Sequence, residues 1–200
     1  NVSKKNFQKL KNFSEAFMSI FAKQNNIKKF EKSYALVEFD SIKYENLFLE
    51  STKFKEKIFL YNRHRPIIYN RKSLKIIKNS NVTPYICSKN LLKYSKSQIN
   101  SFSKKIQKNF QKFLQNDEFF MHYFQFEGLS FWLPLKLFLN HFFIKKLVNS
   151  IYEIEFAKKF LLDNKLSTII ILSESGFTEQ IMIKLAKKFS IKIILLQHGV

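Results

Sequence analysis

Two short stretches hold side chains suited to proton transfer and ligand orientation. Ser173-Glu174-Ser175-Gly176 joins a carboxylate to two hydroxyls, and Gln197-His198-Gly199 joins an amide and an imidazole to a glycine. A carboxylate or an imidazole can take a proton from a substrate hydroxyl, while hydroxyls and amides fix orientation through hydrogen bonds. Gly199 has no Cβ, so a ligand or a facing domain can come close to its backbone. A third group, Arg63-His64-Arg65, is basic enough to hold an anion. Each group also has a plain structural role open to it. Glu174 can sit at the positive N-terminus of the next helix, with Ser175 as N-cap. His198 can be a turn residue, and the Arg-His-Arg cluster a solvated basic turn.

These groups matter because of where the neighbouring elements put them. STIIIL (Ser167 to Leu172) and IKIILLQ (Ile191 to Gln197) are apolar on both faces. Between them Phe177, Ile181, Met182, Leu185, Ala186 and Phe189 mark one face of a helix. Strand, helix and strand in so short a span form a βαβ unit, and doubly apolar strands imply a parallel sheet covered on both sides. The expected fold is therefore a Rossmann-like α/β domain. Ligands of such sheets bind beyond the carboxyl ends of the strands. That rim is where Glu174 and His198 are expected, side by side.

Elsewhere, YALVEF (Tyr34 to Phe39), KIFLYN (Lys57 to Asn62) and TPYIC (Thr83 to Cys87) read as shorter strands. Helical periodicity runs from Ser3 to about Lys32, from Ile99 to Leu114, and from about His141 to Leu162. Residues 1–56 read as a helix and a short strand that can belong to the same domain, and 57–200 as the Rossmann-like domain. The most apolar stretch, LSFWLPLKLFLNHFFI (Leu129 to Ile144), is too short and too interrupted to span a membrane. It reads as a helix buried against the sheet; the other reading is an interfacial segment with Trp132 and Lys136 at headgroup level.

Composition narrows the classes. The formal charge is +20 over 200 residues, but the lysines are scattered through every segment instead of gathered in one arm. Lys, Asn, Ile and Phe are inflated together while Gly and Pro are scarce, the bias of an AT-rich coding sequence. Nucleic acid is thus a poor candidate partner, whereas an anionic membrane or a phosphorylated ligand would feel the charge. The single cysteine, Cys87, excludes an internal disulfide framework. The four histidines (His64, His122, His141 and His198) have no metal-ligand spacing, and neither Gly-rich phosphate loop motif is present. No metal or cofactor is expected. The chain opens on Asn1 and ends on Val200 without a polar tail, so a piece of a longer protein is expected.

The segment LSESGFTEQIMIKLAKKFSIKIILLQHGV resembles the end of the N-terminal domain of bacterial GT-B glycosyltransferases of surface polysaccharide synthesis. The similarity covers roughly Ile151 to Val200, and upstream it extends only to element order. Kdo transferases and non-hydrolysing UDP-N-acetylglucosamine epimerases have related architecture. The resemblance implies two Rossmann-like domains facing a cleft, the nucleotide sugar held mainly by the C-terminal one. On it, Glu174 is the candidate base. Gln197 and His198 would orient donor or acceptor, and Ser173, Ser175, Gly199 and Arg63 would line the site. The implied reaction is sugar transfer to a glycan or lipid-linked acceptor, by a cytoplasmic protein peripheral to the inner face of the membrane. The 200 residues alone are expected to be inactive. A sugar-nucleotide epimerase, a polyol-phosphate transferase and a non-enzymatic basic module binding nucleic acid or membrane are the rival readings.

Overall fold

A computed structural model describes residues 32–85 and 96–196. The chain divides into two units, one of Asn1–Cys87 with Ala157–Val200 and the other of Ser88–Phe156.

The first unit is a five-stranded parallel sheet of β1 (Ser33–Val37), β2 (Lys57–Tyr61), β3 (Val82–Pro84), β6 (Thr168–Ile171) and β7 (Lys192–Leu195). Its order is β3-β2-β1-β6-β7. The expected pair of β6 and β7 is present, with Ile169 beside Ile193 and Ile171 beside Leu195. The region before Lys57 supplies the central strand, for β1 pairs with β2 on one side and β6 on the other. The fold is α/β and Rossmann-like.

Alternation along the strands explains the two-sided core. Ala35, Val37, Phe59, Tyr61, Ile169 and Ile171 point to one face, where they meet Phe160, Met182 and Ala186. Phe160 comes from α6 (Leu147–Asp163), and Met182 and Ala186 from α7 (Phe177–Lys188). Leu36, Ile58 and Leu60 point to the other face, against Phe48 of α1 (Glu45–Glu50) and Ile76 and Ile77 of α2 (Arg71–Lys78). Period-two alternation with apolar residues at both phases gives a sheet buried on both sides. α2 starts at a reciprocal cap. The Asn70 side chain accepts from the Ser73 N–H at 2.8 Å and the Ser73 hydroxyl accepts from the Asn70 N–H at 3.0 Å.

α7 ends in a Schellman motif. The Ile191 N–H reaches the Ala186 carbonyl at 2.9 Å, and the Ser190 N–H reaches Lys187 at 3.3 Å. The motif requires a left-handed residue, and Ser190 supplies it with φ of 56°. Ser190→Gly is expected to raise stability by about 0.5–1 kcal/mol by removing the Cβ penalty. A denaturant melt checks this.

The second unit holds α3 (Lys96–Phe113), α4 (Asp117–Tyr123), a hairpin of β4 (Gln125–Phe126) and β5 (Leu129–Ser130), and α5 (Trp132–His141). A π-turn over Phe142–Lys146 then leads into α6. For the stretch from Leu129 to Ile144, the buried-helix placement and the headgroup position of Trp132 are corrected. α5 is not a buried helix, because Leu133, Leu137 and Phe138 are exposed. Nor does Trp132 lie at a headgroup level. It is fully buried, stacked on Phe120 at 4.4 Å between ring centroids, with Leu114 in the same small core. Its indole N–H donates to Asp117 Oδ1 at 2.7 Å. Lys136 also bonds Asp117, at 2.7 and 2.8 Å. These bonds, from Lys136 first and then Trp132, hold the Asp117 carboxyl below the usual carboxylate range. Among the described residues no helix is long and apolar enough to cross a membrane.

Candidate functional site

The strand order reverses direction at β1 and β6, since β2 and β3 continue on one side of that pair and β7 on the other. Ligands of open parallel sheets bind beyond the carboxyl ends of the strands at such a switch point. Four segments end there: Glu38 to Ser41 after β1, Asn62 to Arg65 after β2, Ser173 to Gly176 after β6, and the first turn of α7.

The turn after β6 carries the residues read from sequence. Glu174 and Ser175 are exposed, and Ser173 is half-buried. Ser173 Oγ accepts from the Ser175 N–H at 3.1 Å and lies 2.8 Å from the Ser175 hydroxyl. The Gln180 side-chain amide donates to the Glu174 carbonyl, and Glu174 itself is exposed. One assignment is corrected. The N-cap of α7 is Gly176, not Ser175, and no side chain caps that helix. Gln197, His198 and Gly199 lie outside the described residues, as does the helix expected from Ser3. The β6–β7 pairing runs to the edge of that segment, where the Leu196 N–H donates to Ile171 at 2.9 Å.

Two carboxylates that the sequence reading passed over lie buried at this end of the sheet. Glu38 follows β1 directly, is 97% buried, and takes a left-handed backbone with φ of 58°. Its Oε1 accepts from the N–H groups of Arg63 (2.5 Å) and His64 (3.0 Å). Successive N–H groups of this kind form an anion nest. The anion at the Arg-His-Arg turn is therefore the chain's own Glu38. Its Oε2 has no hydrogen bond, and Arg65 Nε lies 3.8 Å away. The second carboxylate is Glu179, in the first turn of α7, which is nine-tenths buried with Oε2 unbonded. Burial first, and then the charge of Glu38, push the Glu179 carboxyl above its ordinary range; its own backbone N–H, His64 and Arg65 pull the other way and lose.

Neighbouring groups set the edges. Asp40 accepts from the Ile42 N–H at 2.9 Å and the Tyr69 hydroxyl at 3.0 Å. Burial alone would raise its pKa. The bonds from Lys43, Ile42 and Tyr69, with Arg65, outweigh burial and hold it low. The Asn62 amide donates to the Phe39 carbonyl at 2.8 Å, while its own Oδ1 is buried without a partner. One end of the sheet thus brings together a carboxylate held by backbone donors and a second that retains a proton more readily. Such a pair suits acid–base work on a hydroxyl. A shallow depression of about 260 Å³ at Gln111, Leu114, Lys136 and Asn140 belongs to the second unit and carries no comparable group.

Gly176 is what lets Glu179 sit where it does. A Cβ at that position would collide with the Glu179 carboxylate, the far end of a flexible side chain. Gly176→Ala is therefore expected to swing the carboxylate outward and shift stability by less than about 1 kcal/mol. Its signature is in pH dependence. A raised folded pKa contributes stability below the ordinary glutamate range and loses it as pH climbs through the raised value. That loss should shrink in Gly176→Ala, and denaturant melts over this pH window measure it.

Comparison with known protein families, curated proteins and solved structures finds no match to this chain.

Proposed function

We propose that this chain forms the acceptor-side wall of a glycosyltransferase cleft, with a second domain binding the nucleotide-sugar donor. The transferase would add sugar to a glycan or lipid-linked acceptor for surface polysaccharide, at the cytoplasmic face of the membrane. The observation that carries this reading is Glu179, a buried carboxyl with an unbonded oxygen at the switch point of a Rossmann-like sheet. The resemblance of the segment ending in Gln-His-Gly supplies the reaction class.

In this reading Glu179 takes the proton of an acceptor hydroxyl. The freed oxygen forms a bond to the anomeric carbon as the bond from that carbon to the donor phosphate breaks, and nucleoside diphosphate leaves. A base whose pKa is raised toward the working pH is the more effective for it. Glu174, exposed on the rim, meets the ligand from outside, and His198 and Gln197 orient donor or acceptor. The carboxylates at this end of the sheet disfavour a phosphate there, so the donor's nucleotide belongs to the other domain. Neutral sugar hydroxyls suit such a wall.

The test uses the protein that contains this chain, with nucleotide sugars and an oligosaccharide acceptor. The expected result is release of nucleoside diphosphate matched by mass gain on the acceptor. Conversion of the donor to its epimer without acceptor, or no turnover with any sugar nucleotide, overturns the reading.

A further inference from the structure

The second unit carries an apolar exterior that its own core does not explain. Phe126 and Leu129 stand directly opposite each other on the hairpin, so they share a face, and they are 71% and 78% exposed. The turn between them is tight, with Glu127 and Gly128 both at positive φ, so the pair is carried at a hairpin tip. On α5, Leu133 and Leu137 are one turn apart and exposed, and Phe138 stacks on Phe142 at 6.4 Å. This exterior is rigidly mounted. Behind it Trp132 is fully buried and tied to Asp117, which also binds Lys136.

Charge distinguishes between occupants. From Ile99 to Ser150 the sequence has seven lysines and three acids. One of the three, Asp117, is already paired with Lys136. Lys104, Lys105, Lys108 and Lys112 are exposed on α3, and Lys146 is exposed after α5. α3 is held in the same unit by Phe110 stacked on Phe143 at 3.9 Å. Apolar side chains on a tight tip, in a unit whose exposed charges are mostly lysines, fit a surface with hydrocarbon underneath and negative charge on top. We infer that the second unit docks on an anionic lipid surface through the hairpin tip and the outer face of α5. The inference deepens the membrane-side part of the proposed function and rests on that reading for the choice of membrane face.

The experiment is cosedimentation of the chain with vesicles of phosphatidylcholine alone and with about a third phosphatidylglycerol. The expected result is binding to the anionic vesicles, weakened by salt. Phe126→Asp with Leu129→Asp should cut partitioning on the order of a hundredfold, with circular dichroism unchanged. Leu137→Asp, on a different element, provides an independent second variant. Equal binding by wild type and both variants overturns the inference, as does absence of binding at low salt. So does light scattering that shows a dimer which the hairpin variant dissolves, because a second copy would then cover the face. Transfer to a water-soluble acceptor needs no vesicle. If transfer persists while docking fails, only the docking is wrong; if docking holds while transfer fails, only the transferase reading is wrong.

Discussion

Glu179→Gln is expected to lower sugar transfer by about a hundredfold or more while the protein stays folded. The substitution keeps the shape of a side chain that is nine-tenths buried and removes a charge that burial and Glu38 disfavour. Melting temperature at neutral pH should hold or rise, because the wild-type protein must ionise a buried carboxyl. Loss of rate without loss of stability is the mark of a group kept for chemistry. Glu174→Gln is the matched control on the exposed rim. If Glu174→Gln collapses turnover and Glu179→Gln does not, the base is the residue read from sequence and Glu179 is only a buried partner of the helix N-terminus.

The pH profile of the same reaction provides a second reading of that prediction. With Glu179 as base, the rate should rise with pH as the carboxyl loses its proton, and the rise should lie above the ordinary glutamate range. Stability should run the other way across that window, falling as the folded-state group ionises. Asp40, held low by three hydrogen bonds and Arg65, contributes with the opposite sign and at more acidic pH. Its share is lost as pH falls through its depressed value. The two windows do not coincide, so a melt taken across the acid range can tell them apart.

The sheet was legible because its strands are runs of aliphatic residues at both phases, bounded by turn residues, and nothing in a helix needs that pattern. Ile169 to Ile171 and Ile193 to Leu195 could hardly be read otherwise. The site was only half legible. The turn at Glu174 could be placed because it must follow β6, but Glu179 looks like any acidic residue in a first helical turn. What sets it apart is tertiary: Gly176 makes room for its carboxylate, and burial, with the charge of Glu38 far away in sequence, raises it. Glu38 itself left one sign, a charge placed directly after four apolar residues of a strand. A carboxylate at the end of a parallel strand stands on the ligand rim, and the position could have been marked from that alone. The apolar stretch around Trp132 misled for a different reason. Its hydrophobicity suggested burial against the sheet, but most of that hydrophobicity faces outward and Trp132 serves a small core of its own.

Phe160→Ala is expected to cost about 3–5 kcal/mol, the range for emptying a fully buried aromatic site. The ring is 0% exposed and three other rings enclose it. Phe59 meets it edge-on at 5.9 Å, Tyr61 stacks on it at 4.7 Å, and Tyr85 tilts against it at 4.5 Å. Each such pair adds roughly 0.5–1.5 kcal/mol beyond the area it buries. Phe59 and Tyr61 lie on β2, and Tyr85 just follows β3, so this one ring ties α6 to the half of the sheet that carries the Arg63 to Arg65 turn. Against a total stability of roughly 5–15 kcal/mol, the loss should bring down the thermal midpoint of the first unit by about 10 °C or more. Phe160→Leu, which refills most of the space without the ring contacts, should fall between wild type and the alanine variant. The consequence reaches the site. Glu38 is held by N–H groups of the turn after β2, so loosening β2 frees the carboxylate that raises Glu179. Near its midpoint Phe160→Ala should therefore also lose the part of the upward displacement of the pH profile that Glu38 adds to burial. A variant that melts early yet keeps that displacement up to its midpoint would show that the core under β2 and the carboxylate pair are independent.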